Sequence, residues 1–542
     1  MNEEHQYSRL DIAFAQFLTQ RTKFKDAQKD DLNTLLSELS YQQSQGHSCI
    51  LLNNTEIALI KASELTSEDN QSPLILEKNR LFLQRYWFYE KRLAQQIIAL
   101  MALTLPANNL DLLLDRYFIQ LIDETDWQRV AAKNAITNAF SIITGGPGTG
   151  KTTTVVKILA LLQETALKQN TALHIALAAP TGKAAMRLQE SIGQSKNTLP
   201  CSEAIAAQIP ETVTTLHRLL GAQPPSPYFT HDADNPLIYD LVVVDEASMI
   251  DLALMSKLVD ALKPNSRLIL LGDKDQLSSV ESGAVLADLT KSHSQHTTEL
   301  KKSFRFSGEI KALADAVNEQ EAEKAWKILK NGQQVSLLND DVIEYIANQY
   351  ADFFKLVQQR VACEVIFKSF NQFRVLCSNR HGEQGVIDIN QRVEKELIQQ
   401  GKIRLSGQWY EGCPVMVTQN DYSMQLFNGD IGLYLYDKKL AKYLVFFLKP
   451  DGTIKKILPS KIPQHETVFA MTIHKSQGSE FENCLCILAN KVTPVLTKEL
   501  VYTAITRAKS NLKIYSSETI FKQTLQQKVE RIGGLYDKLG GK

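Results

Sequence analysis

Two rhythms of hydrophobic residues run along the 542-residue chain. Apolar positions three and four apart, as in LDIAFAQFLTQ (10–20) and WFYEKRLAQQIIALMAL (87–103), predict amphipathic helices, because 3.6 residues per turn brings such positions to one face. Short, nearly unbroken apolar runs predict strands. Four of these, SIIT (141–144), LHIALAA (173–179), LVVVDE (241–246) and RLILLGD (267–273), alternate with helical stretches. Strands apolar at every position suit a parallel sheet covered on both faces, so this portion reads as a doubly wound α/β unit. FRVLCS (373–378), VFAMTIH (468–474), CLCILA (484–489) and NLKIYS (511–516) predict a second such unit. Within it, VMVTQN, GLYLYD, YLVFFL and IKKIL are shorter β-type runs, the last two joined by the hairpin signal KPDG. They predict a small β-barrel inserted over 405–463.

The first ~115 residues differ in texture. Helical patterns dominate, with a strand-like SCILLN (48–53) and no Gly-rich turn after a strand, so no catalytic feature is visible there. The expected organisation is an N-terminal domain over 1–115, a first α/β domain over 116–335 and a second over 336–542, which matches roughly 150 residues per domain. The Pro-rich AQPPSPYFTHDADNP (222–236) reads as a surface loop.

Composition narrows the function. Hydrophobic residues make up 44% and charged residues 22%, which excludes a wholly disordered chain. Lys plus Arg and Asp plus Glu are 60 each, so a polyanionic partner has to meet a local basic groove rather than a globally basic body. The polar, acidic start MNEEHQYSRL and the lack of an ~18-residue apolar span lead to the expectation of a cytoplasmic protein. The seven cysteines form no CxxC pair and read as reduced thiols, with Cys484 and Cys486 at alternating positions of a core strand.

The chemistry concentrates at Gly145-Gly146-Pro147-Gly148-Thr149-Gly150-Lys151-Thr152, directly after one predicted strand and before a predicted helix that starts at Thr153. Glycines let backbone N–H groups curl round phosphate oxygens, and the helix N-terminus favours negative charge. Lys151 can then reach the β- and γ-phosphates of ATP, and Thr152 can ligate Mg²⁺. Asp245 and Glu246 end another apolar strand. Asp245 is suited to holding Mg²⁺ through a water and Glu246 to deprotonating the attacking water, although such a pair also suits a simple helix cap. Gln276 in GDKDQL can sense the γ-phosphate. Arg305 (KKSFRFSGE) and Arg507 (YTAITRAKS) can supply transition-state charge, or can each be a solvated surface arginine.

In order along the chain, these segments resemble the motifs of superfamily 1 helicases. Gln128 in DWQRVAA resembles the adenine-reading Gln; APTGKAAMRL (179–188) and TTLHRLLG (214–221) resemble DNA-contacting segments; DEAS, GDKDQLSSVESGAVLAD, SFRF, TIHKSQGSEFE (472–482) and VYTAITRAK (501–509) resemble the remaining motifs. IHKSQGSEF with NDYSMQLFNGDIG (420–432) is similar to the RecD-like branch, and GHSCILL (46–52) with NRLFLQRYWFYE (79–90) to the α subunits of exodeoxyribonuclease V. The resemblance implies two RecA-like P-loop motor domains, an SH3-like insert in the second and a mainly helical N-terminal docking domain. It implies arginine-finger roles for Arg305 and Arg507, and a ribose contact by Glu480 beside Gly478. It also implies contact with single-stranded DNA by Thr181, Gly182, Lys183, Thr215 and His217 of the first domain and by Thr472, His474, Lys475 and Ser476 of the second. These same hydroxyls also suit helix N-caps and polar loops.

The function implied is ATP-dependent 5′–3′ translocation on single-stranded DNA and unwinding from duplex ends, in a heterotrimer with RecB-like and RecC-like subunits that repairs double-strand breaks. A free-standing helicase of the same branch and an ATP-gated DNA-binding scaffold are the alternatives. The sequence supplies no carboxylate cluster for a nuclease outside the ATP site.

Overall fold

The protein is represented by a computed structural model that describes residues 7–67, 71–105, 110–118, 125–279, 281–304, 308–405, 407–421, 423–449 and 452–541. Two parallel sheets organise it. The first has six strands in the order Thr214–Thr215, Ile175–Ala179, Leu241–Val244, Arg267–Gly272, Phe140–Thr144, Thr297–Glu299. Its unbroken apolar runs are explained by burial on both sides. Ile142, Ala176, Val242, Leu268 and Leu270 enter one core, and their sequence neighbours Ile143, Ile175, Val243, Ile269 and Leu271 enter the other.

The second parallel sheet has the order Val335–Leu337, Ala508–Tyr515, Phe481–Ile487, Phe373–Cys377, Ala470–Thr472. Cys484 and Cys486 lie on one face with Leu512 and Ile514, and Val375, Cys377 and Leu485 on the other. All seven cysteines are free thiols. Between Phe373–Cys377 and Ala470–Thr472 the chain leaves to build a five-stranded antiparallel sheet, ordered Ile454–Ile457, Lys442–Leu448, Ile431–Asp437, Pro414–Val417, His465–Thr467. Its last strand pairs Val417 with His465 and Val415 with Thr467. The insert therefore runs past the expected end at 463, because a short polar strand carries no hydrophobic signal. Pro450 and Asp451 of the expected hairpin turn lie outside the described residues.

The N-terminal segment pairs helices Arg9–Thr19, Asp26–Ser44 and Asn54–Ala62 with a three-stranded antiparallel sheet, Cys49–Leu51, Arg80–Leu83, Leu74–Glu77. Capping boxes at Ser8 and Asn53 start two of the helices. The following helix, Gln84–Met101, departs from the expected division at 115, because its Leu93, Ala94, Ile97 and Leu100 are part of the first parallel sheet's core. Leu535 and Leu539, from the far end of the chain, join the same core. Among the described residues no helix is long and apolar enough to cross a membrane.

Candidate functional site

The Gly-rich loop joins the strand Phe140–Thr144 to the helix Lys151–Leu167. Gly148 and Gly150 have φ of 77° and 84°, a region that costs an L side chain about 1 kcal/mol or more. A Cβ on Gly150 would also run into the Gln128 amide, whose Nε2 donates to the Thr149 carbonyl at 3.3 Å. The Lys151 ammonium folds back over the loop, donating to the carbonyls of Gly145 at 2.6 Å and Gly146 at 3.1 Å. Thr149 ties the loop from below through its hydroxyl to the Gly146 carbonyl at 2.9 Å.

Across the cleft, Glu246 follows the strand Leu241–Val244 in the left-handed region, φ 52° and ψ 41°, a strained placement for a non-glycine residue. Its N–H donates to Asp245 Oδ1 at 2.9 Å. Burial and the neighbouring Glu246 carboxylate push the Asp245 carboxyl up to about 6, against the pull of Lys151. Behind them Asp273 is buried, which raises its pKa, and it accepts from Gln276 Nε2 at 2.9 Å and Tyr502 Oη at 3.2 Å on the same oxygen.

Arg507 enters from the second parallel sheet, between the helix Lys498–Ile505 and the strand Ala508–Tyr515. It is 2% exposed. Its fork is held by carbonyls of Thr503 and Ser479, each at 3.1 Å, and by the Thr506 hydroxyl at 3.2 Å. Burial lowers its pKa while the Glu246 carboxylate favours its charge. Glu480 is ion-paired with Arg187 and lies 3.8 Å from the Lys509 ammonium. Gly478, two residues before it, sits near Ala184 with φ of 67°.

These groups meet in one cleft of about 640 Å³. Gln128, Pro147, Gly148, Gly150, Lys151, Thr152, Thr153, Asp245, Glu246, Gln276, Glu480 and Arg507 all line it. Gly145, Gly146 and Thr149 do not line it; they shape the loop beneath. Arg305 lies outside the described residues. Sequence reasoning missed Arg187, which lines the cleft and bridges to Glu480; its signal was a cation one helical turn after Lys183 on the helix Gly182–Lys196. It also missed Asp273 and Tyr502, whose partnership joins residues 229 positions apart.

The residues expected to meet DNA divide. Thr181 caps the helix Gly182–Lys196 through Ala184 N–H, and Thr215 caps Leu216–Leu219 through Arg218 N–H. Gly182 lies beside the Phe427 ring of the insert. Burial, with the Arg374 guanidinium close by, pushes Lys183 down to about 8, with Asp430 opposing. His217 packs its ring 5.8 Å from that of Phe229 in the Pro-rich loop. Thr472 accepts from Lys475 N–H at 3.2 Å, and Lys475 Nζ pairs with Glu466 at 2.9 Å. Burial lowers the pKa of His474. Ser476 departs from expectation. It is fully buried, its hydroxyl donates to the Ile473 carbonyl at 2.6 Å, and it shapes the turn instead of facing a ligand.

Two parallel sheets with a Gly-rich phosphate loop and a buried arginine facing it define a P-loop nucleoside triphosphatase. Family descriptions match in the same places: an AAA domain over residues 128–282, a UvrD-like helicase C-terminal domain over 467–515, and the N-terminal domain of the RecBCD enzyme subunit RecD over 3–60. RecBCD enzyme subunit RecD of Haemophilus influenzae is 37% identical over 530 residues, covering 86% of this chain and 81% of that protein. RecD of Mycolicibacterium smegmatis is 37% identical over 491 residues, covering 89% and 86%. The chain belongs to the RecD family of RecBCD enzyme subunits. The ATP-dependent RecD2 DNA helicase of Deinococcus radiodurans is 32% identical over 372 residues, 68% of this chain and 46% of that protein. Among solved structures, Bacteroides Pif1 bound to single-stranded DNA aligns with a TM-score of 0.42 at 18% identity, covering 73% of this chain and 93% of that one.

Proposed function

We propose that this chain is the ATP-driven 5′–3′ DNA translocase and helicase subunit of a RecBCD-type helicase–nuclease acting in double-strand break repair, working from the cytoplasm on single-stranded DNA and duplex ends. One observation carries the reading: Lys151 and Glu246 from the first sheet and Arg507 from the second line a single cleft, so nucleotide chemistry there is coupled to how the two bodies meet. The bodies act as RecA-like motor domains, over about 116–335 and 336–542, and the insert as an SH3-like module. The segment before Gln84 is the docking piece for RecB-like and RecC-like subunits, the helix Gln84–Met101 being committed to the motor core.

In this mechanism Lys151 leaves its two loop carbonyls for the phosphates of ATP. Gln128 recognises the base and Glu480 exchanges Arg187 for the ribose. Glu246 accepts the proton of the attacking water, with Gln276 turned from Asp273 toward the γ-phosphate. Arg507, and Arg305 by the family resemblance, stabilise the charge that develops on the transferred group. The half-buried Asp245 carboxylate, its pKa raised by desolvation and by the neighbouring Glu246, and the Thr152 hydroxyl fit Mg²⁺, which is commonly held by one or two carboxylates plus substrate phosphates. Mg²⁺ supplies neutralisation of phosphate charge when bound. Closure on ATP is favoured because Arg507 meets phosphates held by the other body, and hydrolysis removes that differential contact. Thr181, Gly182, Lys183, Thr215, His217, Thr472, His474 and Lys475 form the DNA path.

The RecBCD subunit relatives match more of this chain, and at higher identity, than the RecD2 helicase does, 37% over 86% and 89% of it against 32% over 68%, which favours the subunit reading over the free-standing one. The test is ATP turnover with and without single-stranded DNA. DNA stimulation in the wild type and its loss in Lys151→Gln support the assignment; turnover near wild type in Lys151→Gln contradicts it.

A further inference from the structure

Beyond the ends of two neighbouring parallel strands, Phe373–Cys377 and Ala470–Thr472, a groove of about 740 Å³ opens toward the insert. Crevices outside the carboxyl ends of parallel strands are where α/β sheets receive ligands. Arg380 and Lys475 line this groove, one after each strand, and His465 forms its far wall at the start of the insert's return strand. Glu466 holds the two cations in place, accepting from Arg380 Nη2 at 2.7 Å and Lys475 Nζ at 2.9 Å. Two cations against one carboxylate leave the groove attractive to an anion.

The His465 ring is fixed. Its Nδ1 lies 2.8 Å from the Pro463 carbonyl, and one face rests on Trp409 at 5.4 Å between centroids and 31° between planes. Trp409 rests in turn on Tyr434 at 5.0 Å, and Tyr434 stacks on Tyr443 at 5.2 Å and 17°. This ladder backs the histidine from one side. The groove is lined by His465 but not by Trp409, which leaves the histidine between the ladder and the groove.

We propose that this groove is a nucleotide subsite for single-stranded DNA, in which a base stacks on the groove face of His465 and the adjoining phosphate is held by Arg380 and Lys475. The inference rests on the DNA-motor reading above and extends its path from the turn at Thr472–Lys475 onto the insert. A flat ring held by a prebuilt ladder accepts any base at little ordering cost, as a motor indifferent to sequence requires.

The test uses the full chain and an oligothymidylate carrying a single 2-aminopurine moved along the strand. One register is expected to show stacking-dependent quenching in the wild type and in His465→Phe, with quenching lost and affinity reduced about fivefold or more in His465→Ala. Arg380→Gln is expected to lower the slope of log affinity against log salt by about one. If the wild type binds the oligonucleotide and His465→Ala retains both its affinity and its quenching, the subsite is overturned while the motor reading stands. A polyglutamate peptide that displaces the oligonucleotide from the wild type but not from His465→Ala or Arg380→Gln would overturn the assignment to DNA. If the wild type neither binds the oligonucleotide nor hydrolyses ATP faster in its presence, the motor reading fails first.

Discussion

Asp245 shows how the cleft stores its chemistry in single residues. Its carboxyl is raised from 3.8 to about 6 by burial and by Glu246, so the folded state holds the proton more tightly than the unfolded chain between those values. This contribution therefore favours folding at low pH, declines as pH rises through that window, and leaves a destabilising charge above it. Asp245→Asn is expected to abolish ATP turnover yet raise Tm at pH 8 by about 2–4 °C, with a smaller gain at pH 4; a Tm below wild type at pH 8 would show that the charge is compensated. Lys183 gives a second pH signature. With its pKa lowered to about 8 by burial and Arg374, it loses charge as pH rises from 7 to 9. Affinity for single-stranded DNA should fall over that range by more in the wild type than in Lys183→Arg, as titration of a labelled oligonucleotide reads out. The loop residues 145–152 were legible because their whole chemistry lies in eight consecutive positions. Arg187 and Tyr502 were not legible, because each acquires its role from a partner on the other body, Glu480 and Asp273.

At the level of elements, the segment after the helix Glu518–Gln526 returns across the molecule to the N-terminal unit. Ile532 N–H donates to His47 Nδ1 at 2.9 Å, and Gly534 N–H donates to Glu90 at 3.0 Å. The Lys538 ammonium pairs with Glu77 at 2.6 Å and with the buried Glu90 at 3.0 Å. Glu90 also accepts from the Ser48 hydroxyl at 2.6 Å. Glu90→Ala leaves the Gly534 N–H unpaired and the Ser48 hydroxyl with only the Ile532 carbonyl at 3.4 Å, and should cost about 2–4 kcal/mol, measured by denaturant unfolding. Lys538→Ala should cost less, since Glu90 keeps two other donors. No rhythm in the sequence marks this return, because its anchors are two leucines and a few polar atoms. The long central strands were legible, being apolar throughout. The edge strands Thr214–Thr215, Thr297–Glu299, Val335–Leu337 and His465–Thr467 were not, since two or three residues exposed on one side carry no period.

For the whole molecule, the proposed function has ATP binding in the cleft draw the two sheets together and move a DNA strand across them. Arg507 links nucleotide to domain closure, since it comes from the second sheet and lines the cleft of the first. Arg507→Lys keeps a charge but not the fork held by Thr503, Ser479 and Thr506, and should lower kcat by about 10²-fold or more with KM changed far less; equal losses in kcat and in nucleotide affinity would assign it to binding or folding instead. The most direct measurement is strand separation by the full chain on two duplexes, one with a 5′ and one with a 3′ single-stranded tail, with ATP consumption followed in the same reaction. Unwinding of the 5′-tailed duplex alone, dependent on ATP and absent in Lys151→Gln, is the result expected. Unwinding confined to the 3′-tailed duplex, or unwinding that Lys151→Gln retains, would contradict it.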